Sequence, residues 1–181
     1  IAFGSMTKFA PLRLLTRAFV WVIRGTPLML QLIVVFYVPG LVFNHPMQSR
    51  ITAVLIAFVI NYSAYFSEIF RGGIESISKG QYEAGQVLGL TKSQVFFKIV
   101  LKQVIKRIVP ALSNEIITLV KDTALANAIA IPEIIHCAKL MASSQALIWP
   151  LFYTAFFYLA FVGILTIVLG RVEKKLSYFK A

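Results

Sequence analysis

Four long apolar segments limit what this chain can fold into. They run over roughly 17–38, 51–70, 108–131 and 146–169. A helix of about 20 apolar residues spans the hydrocarbon core of a bilayer. The chain is 59% hydrophobic and only 14% charged, which gives it more apolar surface than a water-soluble domain of this size can bury. The sequence therefore predicts an all-α membrane protein with four visible transmembrane helices.

The distribution of basic residues predicts which connections face the cytoplasm. Of the 18 Lys and Arg residues, all but four lie before or at the edge of the first span, between the second and third spans, or after the fourth. Cytoplasmic loops are enriched in Lys and Arg, so residues 1–16, 71–107 and 170–181 are predicted to be cytoplasmic. The connections near 39–50 and 132–145 are predicted to face outside. The net charge of +11 then favours contact with anionic lipid rather than nucleic acid.

The long connection between the second and third spans predicts a short helix. Ser78 and Gln81 have the spacing of a capping box, which marks a helix start. Gly89 can adopt the left-handed conformation that ends a helix, and Thr91 begins a second capping-box pattern. Within this segment, about 78–93, the short helix carries a small apolar strip. Two interpretations remain open at this point: packing against its own chain, or docking of a soluble partner.

A basic helix is predicted directly after that segment. Lys98, Lys102 and Lys106 recur every four residues and share one face, while apolar side chains cover much of the remainder. A helix of this kind lies among the lipid head groups at the membrane surface. Membrane lipid is therefore an expected partner of this part of the chain.

Polar residues at helical spacing interrupt two of the predicted spans. They are Asn61, Tyr65 and Glu68 in the second span, and Glu115, Thr118 and Asp122 in the third. A charged side chain at the centre of a bilayer costs about 2.5–3.5 kcal/mol, so these groups are expected to face protein or a water-filled path. Glu68 has two open interpretations, a structural ion pair with Arg71 or Arg24 and a role in transport. Carboxylates, hydroxyls and amides suit an amino-acid zwitterion, and the acids of the third span favour a cationic one.

Several motifs resemble those of bacterial ABC importer permeases. The spacing of Glu83-Ala84-Gly85, Gly89, Ile99 and Leu101 is similar to the "EAA" motif of that family, with Gly85 at a position usually occupied by alanine. The stretches "RGTPLMLQL", "EIFRGGIESI" and "LVKDTALA" resemble the branch that takes up polar amino acids. The matching stretches occur in the family's order along most of the chain.

The resemblance implies the organisation and the partners of the protein. Residues 1–181 would form a single transmembrane permease domain in a bacterial cell membrane. Glu83, Ala84, Gly85 and Gly89 would belong to a coupling helix that contacts an ABC ATPase subunit, and ATP and Mg²⁺ would bind to that subunit. A second permease chain and an extracytoplasmic substrate-binding protein would complete the importer. Because the chain begins at Ile1 rather than Met, we also expect a fifth helix before it.

The alternative functions have fewer sequence features in their favour. An ATP-independent carrier or channel could use the same intramembrane charges, but it would have no need of a coupling motif. The sequence has no nucleophile–base pair, zinc motif or phosphate-binding glycine loop. His136 and Cys137 are too few ligands for a metal site. The chain is therefore expected to be a transport subunit without a cofactor of its own, and not an enzyme.

Overall fold

Every secondary-structure element in the described part of the chain is helical. The computed structural model describes residues 1–176; residues 177–181 lie outside it, so the predicted cytoplasmic position of Lys180 falls outside the described residues. The α-helices are α1 (Ala2–Met6), α2 (Ala10–Gly25), α3 (Leu28–Phe43), α4 (Arg50–Glu75), α5 (Lys79–Val87), α6 (Lys92–Val95), α7 (Leu101–Asp122), α8 (Ile134–Gln145) and α9 (Trp149–Leu176). A π-helical segment, Phe96–Val100, precedes α7, and a 3-10 helix, Thr123–Ile129, follows it.

Two of these helices are long and apolar enough to cross a bilayer alone. They are α4, with 26 residues, and α9, with 28 residues. At about 1.5 Å per residue each is about 40 Å long, which exceeds the hydrocarbon core of about 30 Å. The helices α2 and α3 meet the same criteria only as a pair, bent by 104° where they join. By length and composition, two or three of the four predicted spans in residues 1–176 thus meet the criteria.

The first predicted span is broken in the middle. Instead of one helix over 17–38, α2 ends at Gly25 and α3 begins at Leu28. Between them, Thr26 is extended, with φ −116° and ψ 144°. The cause is Pro27, whose ring disfavours the helical conformation of the residue before it. The break places the end of one helix and the start of another at the same point in the fold.

The third predicted span also differs from its prediction. The structure has two elements where a single helix over 108–131 was expected, because α7 already ends at Asp122 and a 3-10 helix follows. Its charged side chains keep α7 from being apolar enough to cross a bilayer alone. It packs instead between α4 and α9, so that neighbouring helices shield it from lipid.

The segment around α5 has one of the two predicted capping boxes. The Thr91 hydroxyl accepts a hydrogen bond from the Gln94 backbone N–H, and the Gln94 side chain accepts one from the Thr91 N–H, which confirms that prediction. Gly89 adopts φ +74°, as expected for a helix stop. The predicted box at Ser78 is wrong, because the Gln81 side chain accepts a hydrogen bond from Gln103 instead of returning to the helix start.

Two apolar cores hold the helices together, one at each end of α4. Near the C-terminal end of α4, which we call the α5 end, buried side chains come from the connection between α4 and α5, from α6, from the π-helical segment and from α7: Ile77, Val95, Val100, Val104 and Ile108. Near the other end, α3, α4 and the 3-10 helix contribute Leu32, Ala53, Ala57 and Ile129. The two alanines are fully buried, as is usual where small residues let membrane helices approach closely. Between these cores, the broken helix, α4 and α7 surround a polar region.

The last helix lies at the periphery of this arrangement. α9 packs against α7 and α8, yet only 6% of its most apolar stretch of 18 residues is buried within the chain. Its exposed side chains are mostly aromatic and aliphatic. This surface is therefore suited to lipid or to another hydrophobic helix.

Candidate functional site

A cavity of about 470 Å³ lies where the broken helix meets α4 and α7. We call it the central cavity; it is lined by Arg24, Gly25, Thr26, Pro27, Leu28, Asn61, Tyr62, Tyr65, Glu115, Thr118, Asp122 and Leu125. Its volume is in the range of small-molecule sites. Five of the six residues predicted to bind substrate line it, and the sixth, Glu68, does not.

Hydrogen bonds from α4 fix the wall formed by the broken helix. The Asn61 side chain is only 5% exposed, and its amide donates to the Gln31 side-chain oxygen at 3.0 Å. The Gln31 amide in turn donates to the Ile23 carbonyl at 2.7 Å and to the Thr26 hydroxyl at 2.8 Å. These bonds satisfy backbone groups that the helix break leaves free. Asn61 therefore helps to hold the shape of the cavity.

The carboxylate of Asp122 is held by a residue that the sequence analysis did not identify. The Tyr62 hydroxyl donates to Asp122 Oδ2 at 2.8 Å, and the tyrosine is itself 5% exposed. A hydroxyl bonded to a carboxylate is a charge-assisted contact. Tyr62 precedes Tyr65 by three residues, so the helical spacing of the polar residues could have included it. The remaining acceptor positions of Asp122 are available to a ligand.

Glu115 and Asp122 place two carboxylates along the same wall. They are seven residues apart on α7, which is about two turns or 10 Å along the helix axis. Thr118 lies between them, and its hydroxyl donates to the Asn114 carbonyl at 3.0 Å, which leaves the hydroxyl oxygen free to accept. Both acids line the cavity. The α7 wall is therefore the negative side of the central cavity.

Glu68 belongs to an ion-pair cluster next to the central cavity. Arg71 contacts both of its oxygens, with Nε–Oε1 at 3.0 Å and Nη2–Oε2 at 2.6 Å, and also contacts Glu75 at 2.6 Å. The ion pair with Arg71, one of the two interpretations of Glu68, is therefore present, and Glu68 does not line the central cavity. Its role in transport stays a prediction. Together with Arg17 and Arg24, the cluster borders a second cavity of about 560 Å³, which we call the arginine cavity.

The four residues predicted to contact an ATPase do not all face outward. Glu83, Ala84 and Gly89 are exposed, whereas Gly85 is buried beneath α5. A Cβ atom at Gly85 would lie 2.5 Å from Val95 Cγ2 and 3.0 Å from Val95 Cγ1. Glycine at this position therefore allows α5 to pack closely against Val95 of the same chain, rather than against a partner.

The exposed face of α5 is extended by two large apolar side chains. Val87 is 87% exposed and Leu88 is 75% exposed, and together with Ala84 they form the small apolar strip expected from the sequence. Isolated apolar side chains on a surface are common. Here, however, they lie beside the exposed Glu83 and Ala84 on a short helix that packs against Val95 through Gly85. Within residues 1–176, no group of three or more His, Cys, Asp or Glu side chains could hold a metal ion.

Comparisons with known proteins agree with this arrangement. Residues 1–178 match the family described as "Binding-protein-dependent transport system inner membrane component". The chain is 37% identical to the L-cystine transport system permease protein TcyB of Bacillus subtilis (strain 168), over 99% of this chain and 77% of that protein. It is also 37% identical to the arginine transport system permease protein ArtQ of the same organism, over 89% of this chain and 77% of that protein.

A solved structure shares both the fold and part of the sequence. It is described as "Crystal structure of an amino acid ABC transporter with histidines", and the match has a TM-score of 0.87 with 31% identity, covering 96% of this chain and 81% of that one. The family match, the permease relatives and this fold lead to one conclusion. The chain belongs to the inner-membrane components of binding-protein-dependent transport systems, as a permease subunit of an amino-acid ABC importer.

Proposed function

We propose that the central cavity binds a cationic amino acid during import. The observation that carries this proposal is the pair of carboxylates, Glu115 and Asp122, on one wall of a cavity in a strongly apolar chain. Asn61 and Tyr62, which face them from α4, lie near the midpoint of that helix. Transporters of several folds bind substrate near the middle of the membrane, beside discontinuous helices. The break between α2 and α3 supplies such a discontinuity here.

The two acids suit a substrate that carries two cationic groups. Arginine and lysine have an α-ammonium group at one end and a cationic side chain at the other. Either end could pair with one carboxylate, which offsets the cost of keeping two acids inside a membrane protein. Cystine, named for one relative, also has two ammonium groups, but its two carboxylates would need two cations. Within residues 1–176, Arg24 is the one basic residue that lines the central cavity.

The α5 end is proposed as the contact with the ATPase subunit and as the cytoplasmic face. The exposed surface of α5, formed by Glu83, Ala84, Val87 and Leu88, offers a small apolar contact on a rigid helix. Gly85 and Gly89 have different roles. Gly85 lets α5 pack closely against Val95, and Gly89 adopts the left-handed conformation that follows the end of α5. ATP hydrolysis then takes place on the partner, with ATP and Mg²⁺ bound there.

The remaining partners follow from the same organisation. The extracytoplasmic binding protein would meet the opposite end, where α3 ends and the 3-10 helix follows α7. The exposed apolar surface of α9 is available to lipid, and a second permease chain would complete the translocation path. Among soluble homo-oligomers, dimers with twofold symmetry are the commonest closed assembly.

The experiment measures binding to the importer complex purified with its ATPase and second permease chain in lipid nanodiscs. Calorimetric titrations with arginine, glutamine and cystine are compared for the parent, Asp122→Asn and Glu115→Gln. We expect each variant to weaken arginine at least about tenfold, because a lost charge-assisted hydrogen bond is worth about 1.5–3 kcal/mol. Glutamine should change less, since it lacks the second cation. Glu173→Gln, an acid on α9 outside the cavity, is the matched control and should bind like the parent.

Equal arginine binding by the parent and both cavity variants would show that these acids are structural. Arginine binding that is weaker than glutamine binding in the parent would reject the cationic preference. The membership of the family would be unaffected by either outcome.

A further inference from the structure

Arg24 separates the two cavities of the protein. It lies in the last turn of α2, directly before the break at Thr26, and it lines both the central cavity and the arginine cavity. With the adjacent Gly25 it is shared by both linings. Arg24 therefore borders the central cavity, whereas Glu68 and Arg71 line only the arginine cavity.

The ion pair that Arg24 makes in this structure is a weak one. Its Nη1 atom is 3.7 Å from Glu68 Oε2, which is beyond hydrogen-bond distance. Both oxygens of Glu68 are already contacted by Arg71 at 2.6–3.0 Å. The Arg24 side chain also remains 44% exposed. Glu68 thus has a closer partner, and the positive charge of Arg24 is available to another anion.

Tyr65 orients the guanidinium group of Arg24. The Cζ atom lies 5.1 Å from the centroid of the tyrosine ring, within the usual range of a cation–π contact. A guanidinium that packs over a ring keeps its N–H groups at the edge of its plane, where they can donate to a carboxylate in a two-bond fork. Tyr65 therefore favours an orientation that is ready for such an acceptor.

The charges across the central cavity are opposite in sign. Glu115 and Asp122 form the α7 wall, and Arg24 is the basic residue at the break between α2 and α3. An amino acid presents an α-carboxylate and an α-ammonium group on the same carbon, so a cavity with one cation and facing acids can align it. We propose that Arg24 binds the α-carboxylate of the transported amino acid and makes this carboxylate a requirement for binding. This inference rests on the proposed function of the central cavity.

The bound substrate would then replace Glu68 as the partner of Arg24. Glu68 keeps its two contacts with Arg71, so it is not left as an unpaired acid when Arg24 turns to the substrate. The competing explanation is that Arg24 only bridges α2 and α4 through its long pair with Glu68. The two explanations differ in their dependence on the ligand, since a bridge would matter equally for ligands with and without a carboxylate.

The experiment compares ligand pairs that differ only in the α-carboxylate. Arginine and agmatine form one pair, and glutamine and its decarboxylated analogue form a second pair with an uncharged side chain. Each is titrated into the complete importer complex in nanodiscs, and the result is the ratio of the two affinities. In the parent we expect the amino acid to bind at least about tenfold more tightly than its analogue, as for a charged hydrogen-bond pair.

Arg24→Gln should bring this ratio close to one by weakening the amino acid alone, and Arg24→Lys should retain part of it because the charge remains. Arg17→Gln is the matched control, since Arg17 lines only the arginine cavity, and it should leave the ratio unchanged. Equal weakening of both members of a pair in Arg24→Gln would overturn the inference in favour of the bridge. An unchanged ratio in both Arg24 variants would also overturn it. Failure of the proposed function has a different signature, which is undiminished binding in the Asp122 and Glu115 variants.

Discussion

Replacing Gly85 with alanine tests whether α5 works through its own packing or through direct contact with a partner. A Cβ atom at position 85 would lie 2.5 Å from Val95 Cγ2, 3.0 Å from Cγ1 and 3.3 Å from Cβ. Rotating the valine about χ1 gives little relief, because all three of its side-chain carbons are close and β-branched residues are stiff. We therefore expect Gly85→Ala to push α5 away from α6 rather than to be absorbed locally.

The size of the effect follows from two opposing contributions. Overpacking a buried contact costs about 1–3 kcal/mol. Alanine in place of glycine within a helix recovers about 1 kcal/mol. The balance is a local destabilisation of about 0–2 kcal/mol, which is too small to unfold the chain and large enough to displace a nine-residue helix. The displacement should reduce transport while membrane insertion continues.

The assay measures uptake and ATP hydrolysis together in proteoliposomes. Gly85→Ala should lower the amount of amino acid transported for each ATP hydrolysed. Gly80→Ala is the matched control in the same helix, since nothing lies within 4 Å of its built Cβ atom, and it should transport like the parent. Val95→Ala removes the two methyl groups that the new Cβ meets, so the double variant with Gly85→Ala should recover part of the lost coupling.

The rescue decides between the two roles of Gly85. A double variant that performs no better than Gly85→Ala alone would show that the glycine contacts the ATPase and not Val95. Neighbouring substitutions that relieve the same clash should instead be non-additive, typically by about 0.5–3 kcal/mol. Full transport by Gly85→Ala would refute both roles.

Two further substitutions test the cavity and the helix packing. Tyr62→Phe removes the hydroxyl that donates to Asp122 at 2.8 Å; arginine affinity, measured by titration of the complex, should fall by up to about tenfold because the carboxylate is less well positioned. Gly73→Ala places a Cβ atom against Ile108 Cγ2, inside van der Waals contact; the thermal unfolding midpoint of the complex should fall, because an overpacking cost of about 1–3 kcal/mol exceeds the gain in helix propensity.

Each of these substitutions has a control on the same helix. Tyr65→Phe keeps the ring beside Arg24 and removes only the hydroxyl, so arginine binding should stay within about twofold of the parent if the Tyr62 effect depends on its bond to Asp122. Gly72→Ala adds a Cβ atom with nothing within 4 Å, and it should leave the midpoint unchanged or raise it. Equal losses in Tyr65→Phe and Tyr62→Phe, or in Gly72→Ala and Gly73→Ala, would contradict the packing and hydrogen bonds described above.

Local features of the chain were predictable from the sequence because their causes are local. Apolar length identified α4 and α9 as spanning helices. Gly89 was predicted as a helix stop because glycine readily adopts the left-handed conformation. Thr91 was predicted as a helix start because of the capping-box spacing. Helical periodicity also placed Asn61 and Tyr65 on one side of α4. These features depend on residues that lie within a few positions of one another.

The membership of the family was predictable for a different reason. Several short motifs in a fixed order are improbable by chance, and the match over residues 1–178 confirms what they indicated. The motifs also pointed to the connection after α4, where the structure has the short helix α5; its role as a coupling helix stays a prediction. They did not show which of its residues face inward, and Gly85 was expected at a partner surface.

Only the tertiary structure decided which groups meet across different helices. Periodicity shows which side chains share a face of a helix, but not which neighbouring element that face contacts. Gly85 therefore turned out to pack on Val95, and Glu68 paired with Arg71 outside the central cavity. The Tyr62 bond to Asp122 joins residues 60 positions apart. No local pattern contains such a pair, because the distance between α4 and α7 is set by the packing of the whole bundle and by the break at Pro27.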